Sequence, residues 1–411
     1  MKKKNVTLIY GIIMAVFSIG YVTMSSFSSV FLLDAGLTNT AIGAILAIGA
    51  LCSVVFQPAI GGMIDRNPRV TSREIIMILT AMIVIGGIVI LFLPAGNGRS
   101  TSVLYCLVVF FMMLAQPFLN SLGMETLRKG FVLSFGIGRS IGSLGYATGS
   151  YVFGYVSEKL GPKSIPVAFA SAFLVVCLLL AIYPVRGRDA VKEAEQTDQR
   201  EPSAKKTVKD NPFLFLLRYR MFAVILCGLI MIYYGHSLIN TYALQIVKPK
   251  GGNSADMGTA AAIAAGCELV TTMIFGFYMR KIKLHILLKI SCLFFTAKIF
   301  LSYFVKTVMA FFLIQGLQMF GWGILWIGIV YYVNDLAGDR DKAQGQAYAG
   351  MSFTIASVLG NLLGGRIIDA FGVDAMLISG TVVSLAGTVI LWIFIKELRQ
   401  QPVLKNNKTE G

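Results

Sequence analysis

Charge is what this sequence has least of. Only 14% of its 411 residues are Asp, Glu, Lys or Arg, against about a quarter in ordinary soluble domains. A water-soluble surface cannot be covered with so few polar groups, so a single solvated globule is excluded. Cysteine offers no alternative framework. Cys52, Cys106, Cys177, Cys227, Cys267 and Cys292 all fall inside apolar runs, and none has the C-x-x-C spacing of a metal ligand set. Neither a disulfide scaffold nor a metal centre is expected, and no cofactor is called for. The phosphate-cradling pattern G-x-x-x-x-G-K-[ST] is also missing, which argues against an ATP-driven machine or other nucleotide enzyme. Gly136-Ile137-Gly138 is a bare G-x-G inside an apolar segment, not after a soluble strand.

Long apolar runs are what the chain does have. A helix rises ~1.5 Å per residue and needs about 20 apolar residues to cross ~30 Å of hydrocarbon. Twelve such runs are present, near 7–33, 40–64, 74–94, 102–124, 136–158, 164–185, 214–244, 256–279, 284–305, 307–333, 344–368 and 373–395. The expected fold class is therefore an all-α membrane protein of twelve transmembrane helices in two pseudo-symmetric six-helix bundles. The first run is too long, and followed by too many others, for a cleaved signal peptide.

The net charge of +16 reads as topology and not as nucleic-acid binding. Lys2 to Lys4, Arg66, Arg69, Arg73, Arg128, Lys129, the 186–220 stretch, Arg280, Lys281, Lys283, Arg340, Lys342 and the tail all fall on one side of the alternating loops. The opposite loops hold only Arg99, Lys159, Lys163, Lys248, Lys250 and Lys306. Positive loops stay in the cytoplasm. Both termini are thus expected inside, in a bacterial-type cytoplasmic (inner) membrane.

Residues 186–213 interrupt the apolar pattern with charges of both signs and read as a flexible cytoplasmic linker. The expected domains are an N-terminal bundle (1–185), this linker, a C-terminal bundle (214–396) and a cytoplasmic tail (397–411). The halves echo one another. Gly154, Glu158 and Gly161 repeat as Gly365, Asp369 and Gly372, and Gly62 to Arg66 repeats as Gly276 to Arg280. Parallel repeats of this kind suit alternating access about a site at the repeat interface.

Ionisable groups in hydrocarbon cost roughly 2.5–3.5 kcal/mol on insertion scales and mark cavities or partners. Arg139, Glu268 and Lys298 stand out in this way. Arg139 offers a planar fork of donors suited to vicinal hydroxyls or a carboxylate. Glu268 sits among Ala264, Ala265, Gly266 and Cys267, which leave room for a ligand, and its carboxyl can exchange a proton as its exposure changes. A buried ion pair tying the halves together is the competing reading for Arg139 and Glu268. Lys298 either neutralises Glu268 or compensates for a proton. His236 is a relay or a packed, hydrogen-bonded residue. Neutral donors and acceptors such as Asn120 and Gln318 suit a polyhydroxyl solute, although interhelical hydrogen bonds explain any one of them equally well.

Several of these residues also carry a family resemblance. Phe56-Gln57-Pro58, then Gly61 and Asp65-Arg66 with Arg69, resembles the second span and following loop of the major facilitator superfamily. Gly138-Arg139 through Gly142, Gly145 and Tyr146 resembles the fifth span of its oligosaccharide:proton symporters. Gly266-Cys267-Glu268-Leu269 and Leu317-Gln318-Met319-Phe320 resemble their eighth and tenth spans. The resemblance implies a proton-coupled sugar transporter, commonly monomeric. It implies that Arg139 grips sugar hydroxyls, Tyr146 takes the ring-stacking position, and Glu268 accepts hydrogen bonds and takes part in coupling. It also places Lys298 at a ninth-span arginine and Asp65, Arg66 and Arg69 in a gating loop. The tenth-span histidine and glutamate of that family correspond to Gln318 and Gly321, which do not titrate. The expected partners are a small solute, protons and the bilayer. Export of drugs or amphipathic compounds is the alternative, favoured by the 18 methionines, which can line an adaptable pocket.

Overall fold

The computed structural model describes residues 5–66, 70–94, 97–128, 130–183, 216–338 and 341–397. Helices make up the described chain. The first seven are α1 (Asn5–Ser25), α2 (Ser28–Asp34), α3 (Asn39–Arg66), α4 (Ser72–Leu91), α5 (Gly98–Arg128), α6 (Phe135–Leu160) and α7 (Ser164–Ile182). After the linker come α8 (Arg220–Thr241), α9 (Ala243–Val247), α10 (Ser254–Lys281), α11 (Leu284–Phe304), α12 (Val308–Gln315), α13 (Trp322–Leu336) and α14 (Lys342–Phe394). The expected linker (186–213) and, apart from Glu397, the expected tail (397–411) lie outside the described residues.

Among the described residues, ten helical stretches are long and apolar enough to cross a membrane. With no water in the hydrocarbon, each backbone N–H and C=O must be satisfied within its own helix. The outward faces suit lipid: Phe92, Leu160, Leu313 and Met309 are largely exposed. This is an all-α, multi-pass membrane fold.

The helix boundaries follow local chemistry. Thr71 caps α4 with Glu74 as its reciprocal partner, and Asn253 and Asp256 do the same for α10, each satisfying orphan N–H groups of a first turn. Four apolar runs differ from their simple reading. The first is two helices, α1 and α2, broken at Ser26 and Phe27. The 307–333 run is α12, a 3-10 turn at Gly316–Met319, and α13. The last two runs form one 53-residue element, α14, interrupted where Gly372 adopts φ 86°, a left-handed conformation open to glycine alone without strain. Gly161, its counterpart in the repeat, ends α6 with φ 79°.

The helices gather in two sets. In one, α1 packs on α6 and α7, α4 on α5 and α7, and α3 on α5. In the other, α8 and α11 pack on α14, and α13 on α10 and α11. The main contacts between the sets, among the described residues, are α6 with α10 and α3 with α14. These pairs touch unevenly along their length. A methyl group on Gly43, Gly258 or Gly365 would collide with backbone of the opposing helix, and one on Gly154 would press tightly against it. On the same four helices, Gly61, Gly62, Gly136, Gly276 and Gly350 have nothing within 4 Å of where a Cβ would stand. The helices therefore meet at one end and diverge toward the other, the end at which the described chain begins and finishes. Small residues permit the close approach where packing, not hydrophobic transfer, drives association.

Candidate functional site

The divergence opens onto the middle of α10, where Glu268 sits. Arg139 and Lys298 both act on its charge, and the Trp322 indole lies beside its carboxylate. Arg139 comes from α6 in the other set, so the interaction crosses the interface. Its position one turn into α6 leaves the guanidinium exposed, and its charge also reaches Tyr10 on α1. Tyr146, two turns further along α6, is near enough to feel Glu268. Its hydroxyl lies 3.2 Å from Ser26 Oγ, and its ring centroid is 6.5 Å from that of Tyr21.

Lys298, on α11, is only 3% exposed. Its ammonium donates to Gln318 Oε1 at 2.6 Å, from the 3-10 turn at Gly316–Met319. Among the described residues Lys298 has no carboxylate within ion-pair distance; the recorded pairs are Arg218 with Asp341 and Lys283 with Glu397. It acts on Glu268 from a distance and not as a salt-bridged partner.

His236, on α8, joins the group through a ring. Its imidazole stacks on Trp322 with centroids 4.3 Å apart at 14°, and Nε2 lies 2.8 Å from Asn240 Nδ2. Nδ1 is buried and has no hydrogen-bond partner among the described residues. Trp322 in turn stacks on Trp326, at 5.0 Å and 12°, while Phe353 meets both indoles edge-on. A column of three parallel rings thus runs from a buried imidazole to the partly exposed Trp326.

Six sequence-named residues therefore come together: Arg139, Tyr146, Glu268, Lys298, Gln318 and His236. Asn120 is half-buried on α5 and makes no hydrogen bond to any of them. Asp65 and Arg66 end α3, and Arg69 lies outside the described residues. Sequence reasoning missed the tryptophan wall. Its signal was present, because Trp322 and Trp326 are four residues apart and so share one helix face.

Comparison with known proteins agrees with this architecture. The chain is 22% identical to maltose permease of Geobacillus stearothermophilus over 373 residues, covering 89% of this chain and 88% of that one. It is 23% identical to multidrug resistance protein 1 of Bacillus subtilis (strain 168) over 386 residues, covering 90% and 91%. Among solved structures, the nucleoside transporter NupG superposes with a TM-score of 0.74 at 14% identity, over 96% of this chain and 98% of that one. The D-xylose-proton symporter gives 0.68 at 14%, over 96% and 98%. At these identities the structures speak for the fold alone. The model of the MFS_1 like family matches residues 8–378, nearly the whole chain, and the chain belongs to that family, one of membrane transporters with the major facilitator fold.

Proposed function

We propose that this chain is a proton-coupled secondary transporter that moves a small polar solute, a sugar or oligosaccharide in the leading reading, by alternating access. The observation that carries it is Glu268, a mid-span carboxylate under the charges of Arg139 and Lys298 where the two sets diverge. A structural ion pair would bring a cation into contact. Here the one hydrogen bond of Lys298 to a side chain of the cluster goes to neutral Gln318, and the carboxylate, beside the Trp322 indole, has no contacting cation among the described residues.

The proposal includes twelve crossings. The ten apolar stretches are joined by α6, whose glycines and serines make it less apolar, and by a second crossing of α14 after the turn at Gly372. Residues 1–185 and 214–396 then form two six-helix bundles, with 186–213 and 397–411 in the cytoplasm. Arg139, Tyr146, Glu268, Lys298, Gln318 and Asn120 contact the solute. Glu268 and His236 handle the proton, and Asp65, Arg66 and Arg69 gate the inner side.

The likeness to a maltose permease supports a sugar. A second reading, efflux of amphipathic compounds, draws on the wall of Trp322, Trp326 and Phe353 and on the likeness to a multidrug resistance protein. A thermal-shift screen of purified protein against sugars, nucleosides and cationic dyes separates them. Stabilisation by a sugar that disappears in Arg139→Ala supports the first reading. Stabilisation by dyes alone, indifferent to Arg139, replaces it with the second.

A further inference from the structure

The repeated acids Glu158 and Asp369 lie far from Glu268, yet each crosses from one helix set to the other. Glu158, near the end of α6, accepts from the first residue of α10: Ser254 Oγ at 2.7 Å and Ser254 N–H at 3.2 Å. Asp369, near the turn in α14, accepts four donors from the start of α3. These are Asn39 N–H at 3.2 Å, Asn39 Nδ2 at 2.8 Å, Thr40 N–H at 2.7 Å and Thr40 Oγ1 at 2.6 Å. Among the described residues neither acid has a Lys or Arg within ion-pair distance. Their negative charge is balanced instead by the positive start of a helix in the opposite set.

The rest of the repeat serves the same contact. Four residues before each acid, Gly154 and Gly365 let the opposing backbones touch. Three residues after it, Gly161 and Gly372 turn the chain at positive φ. The unit G-x-x-x-[E/D]-x-x-G is therefore a complete device: close approach, clasp and exit. It occurs once in each half and grips the other half. Gln245 Nε2 adds a bond to Asn39 Oδ1 at 2.7 Å at the same end.

We propose that Glu158 and Asp369 are positioning residues of the transport cycle, two symmetry-related clasps that hold the outer ends of the two halves together and set the bias toward the inward-open state. The assignment of that end as outer rests on the topology proposed above. The clasps break when α3 and α10 swing away, and their helix-start N–H groups and carboxylates then take water. The open glycines Gly61, Gly62, Gly136, Gly276 and Gly350 mark where the same four helices close at the inner end in exchange.

Hydrogen–deuterium exchange on the intact chain in lipid nanodiscs, without solute, tests this. In Glu158→Gln/Asp369→Asn, amides at the starts of α3 and α10 should exchange roughly tenfold faster, as loss of helix-capping interactions implies. Segments around Gly136 and Gly276 should exchange more slowly, because the inner ends have closed. Each single variant should show a smaller change of the same pattern, and Asp369→Glu, which keeps the charge, should stay near wild type. Faster exchange confined to the outer starts would reduce the acids to local helix caps and overturn the proposal, as would no change at all. A double variant that exchanges faster throughout has lost its fold, and the single variants then decide by the same criterion. Since no solute is present, failure here is separate from failure of the transport reading.

Discussion

In the proposed cycle Glu268 sets a ceiling on how far the transporter can concentrate its solute. It lies in the middle of α10, whereas the other described acids sit at or near helix ends, as Asp34, Glu74, Glu125, Glu158, Asp256, Asp335 and Asp369 do. In that reading one mid-span carboxylate carries one proton per cycle. Moving one charge through the membrane potential is worth ~2.3 kcal/mol per 100 mV, and tenfold in concentration costs about 1.4 kcal/mol. An uncharged solute should therefore accumulate about 50-fold at 100 mV with no pH gradient, changing tenfold for roughly each 60 mV.

The assay is uptake of labelled maltose, xylose or uridine into right-side-out vesicles at an imposed potential, inside negative. Glu268→Gln preserves shape and hydrogen bonding but cannot exchange a proton. Its accumulation ratio should fall to one, while downhill counterflow of the same solute continues. A wild-type ratio on the order of 2,000-fold would require two protons per cycle and a second carrier besides Glu268. Undiminished accumulation by Glu268→Gln would refute the assignment outright.

Three further outcomes follow from the geometry. Lys298→Met removes a buried ammonium that lacks a contacting carboxylate, a relief of about 1–4 kcal/mol, but strands Gln318 Oε1 at a cost of about 1–3 kcal/mol. The two nearly cancel, so thermal melts should stay close to wild type while uptake falls; a large loss of stability would mean that Lys298 is a structural ion-pair residue. Trp322→Ala should lower stability by about 3 kcal/mol, the low end for aromatic truncation because the side chain is only partly buried. Trp326→Leu should instead leave the melt nearly unchanged and weaken thermal stabilisation by ring-bearing solutes. Arg73 donates from Nε to Leu180 O at 2.6 Å and from Nη2 to Ala181 O at 2.7 Å, closing the carbonyl end of α7. Arg73→Ala should cost about 1–3 kcal/mol in the melt, with only partial recovery in Arg73→Lys, which lacks the planar fork.

Much of this fold was legible because the bilayer imposes one rule on every crossing segment, and apolar run length records it directly. The breaks at Ser26-Phe27 and Gly316–Met319 were not legible. Hydropathy registers which side chains are oily, not where the backbone leaves helical geometry within an oily run. The turn at Gly372 was legible only as a gap between two runs. In the site, Arg139, Glu268 and Lys298 declared themselves because charge inside hydrocarbon needs a reason. Trp322 and Trp326 did not, since aromatic residues are everywhere in a chain with 28 phenylalanines and 16 tyrosines. That Lys298 turns to Gln318 and not to Glu268 is a matter of where α10, α11 and a 3-10 turn stand relative to one another, which no local pattern encodes.

The acids of the repeat show the same limit from the other side. Their spacing was visible, but their partners are backbone N–H groups, which every residue but proline carries and no sequence singles out. That choice of partner also suits a closure that must open once per cycle. A side-chain cation released from Glu158 or Asp369 would have to be rehoused at the membrane edge. A helix start needs only water in the carboxylate's place, and both clasps lie at the aqueous end of their helices. The charges at the centre are held differently, for Lys298 is buried while Arg139 is exposed where the two sets diverge. Reversible contacts at the rim and persistent electrostatic neighbours at the centre thus divide the work. In the proposed cycle the rim sets which side is open, and the centre ties that choice to solute and proton.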